Sequence, residues 1–168
     1  MTGSTTAISG GVTTPRGFRA AGISAGIKAS GKPDLMLLVA DAPAQVAAVF
    51  TTNKVVAAPV LVSQEHLARS GGLARAILVN SGCANACTGD VGMRDARAMA
   101  AGTATLVGCP VEQVLVASTG VIGVALPMDK LRSGMPAAFG CRSTTGATCW
   151  SWVRQRRRWP AWPRRQPQ

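Results

Sequence analysis

The chain has 168 residues, a length that suits one compact domain or a piece of a larger one. With 47% hydrophobic and 15% charged residues it is too apolar for a disordered protein. No apolar run reaches the roughly 20 residues of a membrane-spanning helix, and the N-terminus lacks the basic and apolar regions of a secretory signal. Both points speak against membrane and secreted classes and for a cytoplasmic protein whose five cysteines are free thiols.

In chain order, residues 1–14 form a Thr/Gly/Ser-rich arm expected to be mobile, closed by Pro15. Gly17–Ile27 alternates small and apolar residues, as a strand or hairpin does where another backbone comes close. Lys32-Pro33-Asp34 is a turn. Leu35–Asp41 and Val46–Thr52 read as an antiparallel pair of strands around Ala42-Pro43-Ala44. Lys54–Leu61 stays extended towards Ser63, the expected N-cap of a helix over Gln64–Arg69 that Gly71-Gly72 ends. Ala76–Asn80 is a short buried strand followed by the loop Ser81–Gly89. The spacing of Met93, Ala96, Ala100, Thr103 and Val107 predicts a helix over Val91–Val107, capped by Asp90. Val114–Ala117 is a strand, Ser118–Gly123 a glycine turn, and Pro127 opens a helix over Met128–Ser133. The alternation is mixed α/β, with the sheet order undetermined.

The charge is uneven. Residues 1–140 hold 11 Lys/Arg and 7 Asp/Glu, whereas residues 141–168 hold 7 Arg, no acid and all four Trp. This separates a tail, 139–168, from the body, 15–138. Three readings compete for the tail. It could bind nucleic acid through Arg on phosphates and Trp on bases. It could lie on a membrane surface, although Pro160, Pro163 and Pro167 prevent a long amphipathic helix. It could also be out-of-frame translation of GC-rich DNA, which yields Arg, Pro and Trp without apolar periodicity. Composition favours the last, so the basic charge is not read as a nucleic-acid footprint.

Two segments could carry chemistry. Asn80–Asp90 crowds small residues between a strand and a helix start, but it lacks the spacing and lysine of a phosphate loop. Cys83, Cys87, Cys109 and His66 could be assembled into a zinc set, yet His66 stands alone; buried structural thiols are the better reading. No metal and no cofactor are expected. In Ser118–Gly123, Thr119-Gly120 directly after a strand can aim a hydroxyl and a backbone N–H at one point, as an oxyanion hole requires. Spacing alone favours an ordinary turn. His66 is expected to be an exposed side chain on its helix, and Lys54 and Lys130 solvated cations. No nucleophile–histidine set is complete.

Several ordered blocks nevertheless resemble a known family. Gly17–Gly22, Gly26-Ile27-Lys28, Val49–Asn53, Ala57–Val60, Asn80–Gly89, Ser118–Gly123 and Leu126–Lys130 are similar to the ornithine acetyltransferases, the bifunctional glutamate N-acetyltransferases of arginine biosynthesis (ArgJ). The resemblance covers about residues 15–135 and fades near Pro136. It implies transfer of acetyl from N-acetylornithine to glutamate, some members also using acetyl-CoA. It implies a precursor that cuts itself before a threonine, and a ping-pong cycle in which that new N-terminal threonine is acetylated. It further implies a layered α/β sandwich of the ArgJ/DmpA-like type, incomplete without its β chain, in an α2β2 assembly. Thr119 and Gly120 match the family pair that stabilises the oxyanion, which lifts the functional reading of that turn above the bland one. The nucleophile, its cleavage site and the β chain find no match; Thr144, Thr145 and Thr148 lack the family's context for it. The expectation is therefore an N-terminal, frameshifted fragment, inactive and poorly soluble alone. The nucleic-acid-binding tail is the alternative.

Overall fold

The computed structural model describes residues 10–142 and residue 144. The expectations for residues 1–9 and for most of the 139–168 tail, Thr145 and Thr148 included, lie outside the described residues. The described elements are β1 (Phe18–Ile23), β2 (Leu35–Gln45), α1 (Ala58–Arg69), β3 (Leu73–Cys83), α2 (Gly89–Val107), a single 3-10 turn (Val111–Gln113), β4 (Val114–Val121) and α3 (Met128–Gly140). The strands form one sheet in the order β1-β2-β3-β4. The first three are antiparallel neighbours, and β4 runs parallel to β3, as a connection through α2 allows.

Side chains alternate across a pleated sheet. Leu35, Leu37 and Val39 of β2, Ala76 and Leu78 of β3, and Val114 and Val116 of β4 share one face and one core with all three helices. α1 packs on β4, α2 on β3 and β4, and α3 on β2 and β1. On α2 the buried stripe is Gly92, Asp95, Ala96, Met99, Ala100, Thr103 and Ala104; Met93 and Val107 border it half-buried. The helix ends at Gly108 in the left-handed conformation, whose N–H returns to Ala104. The opposite face of the sheet carries Met36, Leu38, Ile77 and Val79, all half-buried.

Several sequence expectations need correction. Val46–Thr52 is not a strand. β2 instead runs unbroken to Gln45, with Pro43 in a register break between Val39 and Ala44 where its missing N–H forfeits no ladder bond. α1 starts at Ala58 rather than Gln64, because Pro59 suits a first turn whose N–H groups lack partners anyway. Ser63 is therefore not a cap. It is buried, donates to the Val116 carbonyl (2.7 Å) and accepts from the Val116 N–H (2.9 Å), fastening α1 to β4. Gly71 and Gly72 do end the helix region with positive φ, their N–H groups returning to Ala68 and Leu67. β3 is longer than Ala76–Asn80 at both ends. α3 continues from Ser133 to Gly140 through Pro136, held by its buried residues Leu131, Gly134, Met135 and Ala138. Gly134 is required there: a Cβ would stand 2.8 Å from the Ala25 Cβ and 2.9 Å from a Leu35 methyl.

Candidate active site

The site begins where β3 and β4 end side by side. Ser118, Thr119 and Gly120 are not a turn; they continue β4, opposite Asn80, Ser81 and Gly82 respectively. The ladder is then distorted, with Cys83 facing both Thr119 and Val121. Gly120 has φ +136°, and a Cβ there would lie 2.3 Å from the Gly82 carbonyl carbon and 2.6 Å from the Cys83 nitrogen. Only glycine fits, because both the backbone conformation and the neighbouring strand exclude a side chain. Thr119 is half-buried and Gly120 exposed, so a hydroxyl and a surface backbone stand next to each other at the strand end.

Small residues let the surrounding loop close in. The Ala84 N–H bonds the Val121 carbonyl (2.8 Å), and the Gly123 N–H bonds the Ala86 carbonyl (2.9 Å). Asn85, buried with φ 48°, donates through Nδ2 to the Gly92 carbonyl (2.9 Å) and accepts from the Thr88 hydroxyl (2.7 Å). This loop is thus clamped to both β4 and α2. Asn80, fully buried, donates from Nδ2 to the Cys83 carbonyl (2.9 Å) across the distorted stretch. The Asn80 Oδ1, Ser81 Oγ and Ser118 Oγ atoms are buried without a hydrogen-bond partner among the described residues. In the sequence Asn80 and Ser81 stand at a strand–loop boundary. Their signal was polar residues following Ile77-Leu78-Val79 with no turn-former between.

The other residues singled out are scattered. His66 is buried rather than exposed, and its Nδ1 donates to the Val114 carbonyl (2.8 Å), a structural role. Among the thiols Cys83 is buried and donates to the Val124 carbonyl (3.1 Å), but Cys87 and Cys141 are exposed and Cys109 is intermediate. The buried-thiol expectation thus fails at Cys87, which sits at φ 56° on the outside of the loop. Burial pushes the Cys109 thiol above its ordinary pKa. Among the described residues no group of three or more His, Cys, Asp or Glu is placed to hold a metal ion, and no helix is long and apolar enough to cross a membrane. Lys130 donates to the Gly26 carbonyl (2.6 Å). Lys54 lines an open cleft of about 460 Å³ with Cys87, Asp90 and Met93, and Thr119 and Gly120 are not part of its wall.

The described residues therefore define a mixed α/β protein with a candidate site at the C-terminal ends of a parallel strand pair. The chain belongs to the ArgJ family, whose model matches residues 19–150. That match runs past Lys130 and Pro136, where the resemblance read from the motifs fades, and into the tail. An arginine biosynthesis bifunctional protein ArgJ from a Synechococcus species is 55% identical over 139 residues, 83% of this chain and 33% of that protein. The ArgJ protein of Rhodopirellula baltica is 53% identical over 126 residues, 75% of this chain and 30% of its own length. The chain spans about a third of the length of these curated relatives. The crystal structure of ornithine acetyltransferase from Mycobacterium tuberculosis, complexed with ornithine, superposes with a TM-score of 0.75. It is 46% identical, over 80% of this chain and 72% of that one.

Proposed function

We propose that this chain supplies the N-terminal part of a cytoplasmic glutamate N-acetyltransferase of arginine biosynthesis, which moves acetyl from N-acetylornithine to glutamate. The observation that carries this reading is the Thr119-Gly120 pair: adjacent at the end of β4, with Gly120 held at φ +136° against β3. A threonine of the β chain attacks the acetyl carbonyl. Its Oγ–C bond forms, the carbonyl oxygen takes the negative charge, and the Thr119 hydroxyl and Gly120 N–H stabilise it. The C–N bond then breaks, ornithine leaves with the proton of the threonine hydroxyl, and the amine of glutamate attacks the threonine ester; the Oγ–acetyl bond breaks and the amine's proton returns to the Oγ.

The same reading assigns a partner to the open sheet face. Met36, Leu38, Ile77 and Val79 are the surface that the β chain covers in an α2β2 assembly.

The test is to co-produce the full chain with the C-terminal two thirds of the Synechococcus relative. Ornithine release from N-acetylornithine in the presence of glutamate is then followed. Transfer is expected from the assembly and not from the chain alone. Thr119→Ala should lower kcat by about 100- to 1000-fold, the usual cost of one oxyanion donor. Transfer by the chain alone would remove the assignment of the nucleophile to the β chain. An inactive assembly would remove the acetyltransferase reading.

A further inference from the structure

The row of side chains that contains Thr119 holds a second hydroxyl with nothing to bond. Ser81 is the register partner of Thr119 across the parallel pair. It is 6% exposed, its N–H is taken by the Asp34 carbonyl (2.8 Å), and its Oγ has no partner among the described residues. Leaving a buried hydroxyl unpaired is costly, so a strand end selected only for packing would carry an apolar residue. Neighbouring strands lie about 4.8 Å apart, which puts the two hydroxyls within one rotamer change of each other. A threonine hydroxyl has one proton to give and lone pairs to accept with. If it gives its proton to a developing oxyanion, the lone pair on its other side is left for a donor, and Ser81 is placed to be that donor.

We infer that Ser81 is a positioning residue that donates to the Thr119 Oγ1, so that the Thr119 proton is aimed at the reacting carbonyl oxygen. This rests on the acetyltransferase reading and adds a residue to its site. Ser81 touches no reacting atom. Asn80 supports the same arrangement from the other face of β3, where its bond to the Cys83 carbonyl fixes the distorted stretch against which Gly120 lies.

The experiment is a double-mutant cycle in the co-produced assembly with Ser81→Ala, Thr119→Ala and the pair, reading kcat and KM separately. Ser81→Ala should lower kcat about tenfold with KM unchanged. It should have no further effect once Thr119 is alanine, because its action passes through that hydroxyl. Ser81→Thr should restore most of the rate, and Ser81→Cys, similar in shape but a weak donor, should fall between. The cysteine variant decides the matter if the alanine variant does not assemble. Wild-type activity with an unchanged Ser81→Ala rate, or an equal loss with and without Thr119, overturns the inference alone. An assembly inactive with wild-type Ser81 overturns the acetyltransferase reading and the inference with it.

Discussion

On one side of the sheet Leu35, Leu37, Leu78 and Val114 are sealed beneath three helices; on the other, Met36, Leu38, Ile77 and Val79 of the same strands remain half-buried. Strands that are apolar on both faces belong to sheets buried on both faces, yet the described helices cover only one. The inner face is complete within the chain. The outer face has the composition of an interior without the neighbours of one, which is why the proposed function gives it a partner.

The sharpest way to break that comparison is to truncate adjacent β3 residues pointing opposite ways. Leu78→Ala, on the sealed face, should destabilise the chain by about 2–5 kcal/mol. Ile77→Ala should cost clearly less, since its side chain is only partly buried. Denaturant midpoints at unchanged slope would measure both, and equal losses would mean that the open face is not open in solution. A smaller effect probes how the sealed face is fastened. Ser63→Ala leaves both Val116 backbone groups without their side-chain partner and should cost about 1–3 kcal/mol, with the loss of amide protection confined to α1 and β4 in hydrogen exchange.

The smallest effect belongs to the exposed surface over α1 and α2. The Arg97 guanidinium, hydrogen-bonded to Glu65 at 3.2 Å, is the main reason its carboxyl titrates below the ordinary value, and Arg69 at 2.9 Å adds to this. A lowered folded-state pKa means that the stabilisation is present above the ordinary carboxylate range and lost as pH falls through the lowered value. Because the group is solvated, the acid-induced drop in thermal midpoint should be slight, absent in Glu65→Gln, and suppressed by about 1 M salt.

Much of this architecture was legible in residue patterns. The 3.6-residue spacing of Ala96, Ala100 and Thr103 marked α2, and the apolar runs around Leu35–Ala40 and Ala76–Val79 marked the central strands. What failed had local causes. Pro43 resembled a turn because proline usually interrupts a ladder, but here it falls where the register slips and no bond is lost. Ser63 resembled a cap because serine favours helix starts; its partner, Val116, lies 53 residues away and no local rule could supply it. The candidate site was visible as a motif at Thr119-Gly120. Its geometry was not, because the need for glycine at 120 comes from the Gly82 and Cys83 backbone of another strand.

The placement of α3 has a consequence for the order in which the molecule is made. Gly134 packs against Ala25 and Leu35, and Lys130 reaches the Gly26 carbonyl, 104 positions earlier in the chain. The β1–β2–β3 meander can pair as soon as it leaves the ribosome, but the inner side of β2 has no lid until α3 emerges. Through the synthesis of some fifty residues after β3, Leu35 must wait without the helix that covers its end of the sheet. That interval is when a growing chain of this design is most exposed to wrong pairing and to capture by other chains.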